Sequence, residues 1–200
     1  MSALRTRVIR RCDRDHYEEL HRTSVKYREN NWLLDDLPFL ITAGGNSIIE
    51  VGCGNGLFLE CAAQHWQDVV GVDWVRSAVL RRVLADNPNI RFVEQDIASF
   101  DIPDRFDLLV SADVLEHLPP PVLPDVIRRL HACGRRCFHK IACYDDGHSH
   151  LTVSSPRRWL RLFEESAPGN AYRIVNVARR NGRRSKPVLV ISNMESAVSG

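Results

Sequence analysis

A short apolar run, Ser47–Val51, ends directly on Gly52-Cys53-Gly54-Asn55-Gly56, and a helical pattern begins at once with Leu57. No other feature limits the possible folds of this chain as strongly. Glycines let a backbone turn sharply at a strand end and let a ligand approach closely. A helix that starts there points its free N–H groups into the same space. Strand, glycine loop and helix in this order belong to an open α/β sheet, where ligands sit beyond the carboxyl ends of the strands.

The remaining pattern agrees. Leu57–Trp66 reads as helix and Val69–Asp73 as a buried strand. Ser77 is placed to cap a helix running to about Ala85. Ile90–Gln95 is the third strand. Phe106–Ala112, almost wholly apolar, is a strand buried on both faces. Pro121–Ala132 is helical, Arg136–Cys143 a fifth strand, and Ser155-Pro156 opens a helix to about Glu165. Ala171–Ala178 and Pro187–Asn193 have only a polar loop between them, which makes a hairpin and forces one strand antiparallel to the rest. Ahead of all this, Tyr17, Leu20, Val25, Trp32, Leu33, Leu37 and Leu40 recur at loosely helical spacing, so Asp13 to Leu40 reads as helix. The chain is 200 residues long, enough for one domain with a sizeable core and too short for two ordinary ones. Residues 1–45 form the helical entry and 46–200 the sheet domain.

A composition of 44% hydrophobic and 26% charged residues is that of a soluble globular protein. A formal charge of +2 is too small to imply nucleic acid or a membrane as partner. No apolar run approaches a membrane span, and the N-terminus lacks the apolar stretch of a signal peptide. The expected location is cytoplasmic. The six cysteines include no Cys-x-x-Cys pair, which argues against a zinc knuckle and fits reduced thiols.

Dinucleotide sites use a glycine loop too, spaced Gly-x-Gly-x-x-Gly around a pyrophosphate. Here the spacing is Gly-x-Gly-x-Gly, Leu57 replaces the third dinucleotide glycine, and Glu50 precedes the loop. A carboxylate there repels pyrophosphate and suits a cationic ligand. Asp73, about 20 residues on, ends the second strand, where an acid accepts hydrogen bonds from ribose hydroxyls. Asp96 follows the third strand and can accept from the exocyclic amine of adenine. The rival reading of both acids is a helix cap or loop residue.

Ile49-Glu50-Val51-Gly52-Cys53-Gly54-Asn55-Gly56 resembles the first motif of class I S-adenosylmethionine-dependent methyltransferases. Val70-Gly71-Val72-Asp73 resembles their second-strand motif, and Phe106 to Leu118 their fourth-strand motif. The resemblance implies a Rossmann-like, seven-stranded, mostly parallel sheet. Helices lie on both faces, with a C-terminal antiparallel hairpin and an N-terminal helical lid. It also implies S-adenosylmethionine as cofactor, bound by Glu50, Gly52, Gly54, Asp73, Asp96 and Ile97. Cys53 and Gly56 in the loop, and Trp74 beside Asp73, are expected to join them. The backbone near Ala112 faces the methionine part.

Methyl transfer needs alignment and, for an alcohol, loss of a proton near the moment of attack. His117 is the first candidate base, and His150, after the fifth strand, is the second. Glu-His-Leu in this position can also be structural. Asp113-x-x-Glu116-His117 together with His150 could hold a divalent ion, which would lower the pKa of bound hydroxyls. The pattern is similar to the Glu-x-x-Glu-His ligands of small-RNA 2′-O-methyltransferases and ubiquinone-pathway O-methyltransferases, from which Asp113 departs. The reading favours a polar loop above the pocket and assigns no metal ligand. His139 is expected to be packed inside its strand. Tyr27 and Trp32 either close over the cofactor or anchor the helix to the core. Arg179, Arg180, Arg183, Arg184 and Lys186 are expected to form a solvated hairpin tip. The expected function is methylation of a small molecule, O-directed, on a sugar, polyol or secondary metabolite. RNA or protein methylation, suggested by the arginines, and a non-catalytic cofactor-binding protein are the alternatives.

Overall fold

The computed structural model describes residues 13–183 and 185–194. Its strands are β1 (Ser47–Val51), β2 (Asp68–Asp73), β3 (Ile90–Glu94), β4 (Phe106–Ala112), β5 (Gly134–Ala142), β6 (Arg173–Arg179) and β7 (Pro187–Ser192). They form one sheet in the order β3-β2-β1-β4-β5-β7-β6. β1 to β5 are parallel; β7 runs antiparallel to both β5 and β6. Strand order reverses between β1 and β4, which both end at the same edge. The expected α/β sheet with its antiparallel C-terminal hairpin is therefore present.

Alternate residues of the central strands feed two cores. On one face Ile48, Leu108 and Val110 pack with Leu33, Leu40, Phe58 and Leu59. These come from α3 (Leu37–Ile41), α4 (Leu57–Ala62) and the segment before them. On the other face Ile49, Val51 and Leu109 pack with Ile127, Leu130, Trp159 and Phe163, from α6 (Leu123–Cys133) and α7 (Pro156–Ser166). α5 (Ala78–Asp86) joins the first core through Leu80 and Val83. Its N-cap is Ser77, whose hydroxyl accepts from the Leu80 N–H at 3.1 Å. Ser155 caps α7 in the same way.

The N-terminal segment is not one helix. It comprises α1 (Arg14–Thr23), α2 (Val25–Glu29) and α3, with a short 3-10 turn at Leu34–Asp36. Ser24 and Asn30 take extended backbone conformations and end α1 and α2. Of the apolar positions that suggested one continuous helix, only Leu33 and Leu40 are fully buried. The others do not share one buried stripe, so nothing holds a single straight helix against the sheet. α4 ends at Ala62, before the expected Trp66, and α6 starts at Leu123 rather than Pro121. His139 is buried, with Nδ1 2.8 Å from Ser111 Oγ. The five described cysteines are all free thiols; Cys12 and Arg184 lie outside the described residues. Among the described residues no helix is long and apolar enough to cross a membrane.

Candidate active site

The carboxyl ends of β1, β2 and β4 open into a cavity of about 570 Å³. One wall is the glycine loop. Gly52, Gly54 and Gly56 all have positive φ (77°, 53° and 75°), a region that side chains disfavour. A Cβ on Gly52 would lie 2.3 Å from Val114 Cγ2, and one on Gly56 2.6 Å from Leu80 Cδ1. Gly52 thus admits β4's extension beside the loop. Gly56 serves the packing of α4 on α5 and is not among the residues lining the cavity. The Cys53 thiol is buried and packs over Gly71.

Glu50, Asp73, Trp74, Asp96, Ile97 and Ala112 all border this cavity. Glu50 is buried; its Oε1 accepts from Asn31 Nδ2 at 3.1 Å, while Oε2 has no hydrogen-bond partner. Burial pushes its carboxyl well above the usual range; the Asn31 bond opposes this and the nearby Asp73 adds to it. A cationic ligand placed against Oε2 would restore the charge. Asp73 accepts from the Gly54 N–H at 2.9 Å through Oδ2 and from the Val75 N–H at 3.0 Å through Oδ1. It therefore shapes the glycine loop while keeping further lone pairs for a ligand. Asp96 accepts from the Ala98 N–H at 2.8 Å, so it does cap a short turn, at the cavity's edge.

The N-terminal segment crosses the opening. His16, Tyr17, Leu20 and His21 of α1 line the cavity. Asn55 of the glycine loop holds this cover by donating to the Tyr27 and Asn30 carbonyls at 3.1 and 2.8 Å. Tyr27 and Trp32 both border the cavity, and Lys140 Nζ donates to the Trp32 carbonyl at 2.8 Å and to Asp36 at 2.7 Å.

Another part of the wall is built by the segment after β4 and the loop after β5. The rings of His117 and His150 meet edge to face, centroids 4.9 Å apart. His117 Nδ1 lies 3.1 Å from the Ser149 carbonyl oxygen, and His150 Nδ1 lies 2.5 Å from that of Tyr144. A carbonyl only accepts, so each Nδ1 carries the proton and each Nε2 is the basic nitrogen. Burial, and then the neighbouring His150, lower the His117 pKa to about 4, so the ring is neutral near pH 7. Asp146 organises the loop. Burial opposes its charge, but the Ser149 hydroxyl and the N–H groups of His148, Ser149 and His150 donate to it and hold its carboxyl below the usual range.

Glu116 is fully buried. Its Oε1 accepts from the Ala142 N–H at 2.8 Å, and Oε2 has no partner. Burial, then the charge of Asp113, raise its pKa well above the usual range. Donor atoms of Glu116, His117 and His150 lie within 4.8 Å of one another. An orphaned carboxylate oxygen beside two imidazole nitrogens fits a divalent cation. Asp113 does not complete the set: Arg180 holds both its oxygens, at 2.7 and 2.5 Å. Asp113 is also the only non-glycine with positive φ among the described residues (53°). Arg180 was expected at a solvated hairpin tip. It is instead 9% exposed, turned inward, with its guanidinium carbon 4.0 Å from the Trp32 ring centroid.

The family profile for a methyltransferase domain matches residues 48–136, just under half of the chain. Ubiquinone biosynthesis O-methyltransferases from Alkalilimnicola ehrlichii and Coxiella burnetii are 31% identical over 96 residues and 35% over 85. Those matches cover 46% and 40% of this chain but only 37% and 36% of the relatives, so the chain matches little more than a third of their length. The fold also matches a solved structure of Burkholderia thailandensis 1,6-didemethyltoxoflavin-N1-methyltransferase with bound S-adenosylhomocysteine. There the TM-score is 0.70 at 15% identity, over 89% of this chain and 83% of that one. For the N-methyltransferase NodS of Bradyrhizobium japonicum it is 0.66 at 18%, over 90% and 98%. Residues 48–136 therefore match a methyltransferase domain, and the described chain shares the fold of these solved structures.

In this methyltransferase domain the matched span contains β1 to β4, the glycine loop and His117. The cover, His150, Arg180 and Lys186 fall outside it. Two histidines, His139 fully buried and His117 half-buried, carry a pH signature. The His117 pKa is lowered to about 4, and that of His139 to about 3, mainly by burial. As pH falls below the unfolded value of about 6.5, the unfolded chain takes up protons that the folded chain refuses. The contribution of each histidine is therefore full above that pH and declines toward pH 4, by about 1.4 kcal/mol per pH unit, while the raised carboxyls of Glu50 and Glu116 act in the opposite sense. Urea midpoints at pH 7.5 and 5.0, compared between parent and variant, isolate the histidine contribution. A His139→Phe variant should lose less than the parent over the same interval, and an equal drop in both would remove His139 from the account.

Proposed function

We propose that this domain transfers the methyl group of S-adenosylmethionine to a hydroxyl of a small molecule. His117 acts as the base, with His150 beside it. The cofactor supplies the electrophilic methyl. Glu50 Oε2 takes the cofactor's ammonium, Asp73 its ribose hydroxyls, Asp96 and Ile97 its adenine, and the Ala112 backbone borders its methionine part. The single observation that carries the oxygen assignment is the His117–His150 pair. Both rings carry their proton on Nδ1 and line the same cavity as the glycine loop. An amine acceptor needs no such base; an alcohol does. The match to O-methyltransferases supports the same reading. Radiolabelled S-adenosylmethionine incubated with sugars, polyols and phenols should label a low-mass product as a base-stable ether. Label appearing only in RNA, in protein or on nitrogen would overturn the proposal.

A second reading has its own observation, the orphaned Oε2 of Glu116 beside two histidines. These three residues would hold a divalent cation, which lowers the pKa of a hydroxyl when bound. Calorimetry with Mg²⁺ or Mn²⁺ should then show one site that is lost in Glu116→Gln, and chelator should abolish turnover while leaving S-adenosylhomocysteine binding intact. Full activity in chelator ends that reading.

A further inference from the structure

The acceptor end of the cavity carries two ammonium groups that the proposed reaction does not use. Lys26 stands at the rim, with Nζ 5.2 Å from the Trp32 ring centroid and 6.0 Å from that of Tyr27. Lys186, half-buried and contributed by the final hairpin, has Nζ 5.2 Å from the Tyr144 ring centroid. Both border the same cavity as His117 and His150. Among the described residues neither lysine has a carboxylate within ion-pair distance, whereas the neighbouring Lys140 and Arg180 are each paired, to Asp36 and Asp113. The acids nearby are committed. Asp113 is held by Arg180, and Asp146 accepts from its own loop. Burial works against the charge of Lys26, Asp113 and Asp146 favour it, and Arg180 and Lys186 oppose it.

Two lysines flanked by aromatic faces, with no ion-pair partner among the described residues, form a receptor for a planar group bearing an anion. We propose that the acceptor carries a carboxylate or phosphate on or next to an aromatic ring, and that Lys26 and Lys186 bind this anion while the ring lies among Trp32, Tyr27 and Tyr144. The inference rests on the acceptor entering from the His117–His150 side, as the proposed function has it. The two lysines come from opposite ends of the chain, so the anion site forms only when the cover and the hairpin both close on the cavity.

The test uses the full chain saturated with S-adenosylhomocysteine and calorimetric titration of benzoate and of phenyl phosphate against benzyl alcohol. Wild type should bind at least one of the anions about tenfold or more tighter than the neutral alcohol. Lys26→Met and Lys186→Met should each remove most of that preference, leave the affinity for benzyl alcohol unchanged, and leave S-adenosylhomocysteine binding unchanged. The tighter of the two anions names the group. No measurable binding of either anion, or equal binding of anion and alcohol, overturns the proposal. So does a Lys26→Met variant that loses affinity for S-adenosylhomocysteine, because the lysine would then serve the cofactor's carboxylate. These titrations read binding without turnover. A retained anion preference with no hydroxyl methylated would sink the proposed reaction and leave the anion site standing.

Discussion

Replacing His117 with alanine is expected to lower kcat by about 10²–10⁴-fold, the range for losing a positioned general base. The affinity for S-adenosylhomocysteine should hardly change, since Glu50 and Asp73, and not His117, are the proposed cofactor contacts. The size of the effect follows from the ring's protonation state. The Ser149 carbonyl fixes the proton on Nδ1, and burial keeps the ring neutral above about pH 4. At pH 7 the base is therefore fully in its working form, and protonation of His117 should leave no inflection in kcat between pH 6 and 8. His150→Ala should act on the same step, and the double variant should fall little below the worse single one, as expected for residues that act as a unit. A kcat within threefold of wild type in His117→Ala would remove it from the chemistry and leave a packing role against Tyr17 and His150.

Asp73→Ala should weaken S-adenosylhomocysteine binding by at least about tenfold, since a hydrogen bond to a charged group contributes ~1.5–3 kcal/mol. The variant should also melt earlier. Its two acceptors hold the Gly54 and Val75 N–H groups, and leaving buried donors unpaired costs about 1–3 kcal/mol each. Loop damage alone could weaken the ligand, so a thermodynamic cycle is needed. S-adenosylhomocysteine and its 2′,3′-dideoxy analogue should differ in affinity for wild type and converge for Asp73→Ala. A difference that persists in the variant would show that Asp73 builds the loop without touching the ribose.

The half of the site proposed for the cofactor could be nominated from the sequence because its placement is local. A strand end, a glycine and an acid fall in register, and each of Glu50, Asp73 and Ala112 closes or nearly closes a strand. The sheet was legible for the same reason, down to the bounds of Phe106–Ala112. The acceptor half was not, because it is assembled from segments far apart in the chain. His150 could be nominated, but only the turn around Asp146 brings it to His117. Gly56 was read as a ligand contact although the packing of α4 on α5 is what requires it. The continuous N-terminal helix failed because its apolar residues face different partners, some the core and some the cavity. Arg180 was the plain miss. The near-neutral charge of the chain argued for solvated arginines, and nothing local distinguishes the one that turns inward. A usable signal was topological: a hairpin beside β5 must bring some of its residues near the loop that follows β4.

That arginine separates two things that most enzymes let vary together. Its guanidinium joins the N-terminal cover, through Trp32, to the end of β4, through Asp113. Burial works against its charge, but the bonds and field of Asp113 outweigh this and raise its pKa further above the ordinary value. A clasp made with a guanidinium cannot open by losing a proton at any pH an enzyme meets. His117 takes up a proton only in acid, while the guanidinium keeps its charge throughout, so loss of charge on Arg180 never contributes to a pH–rate profile measured on this protein.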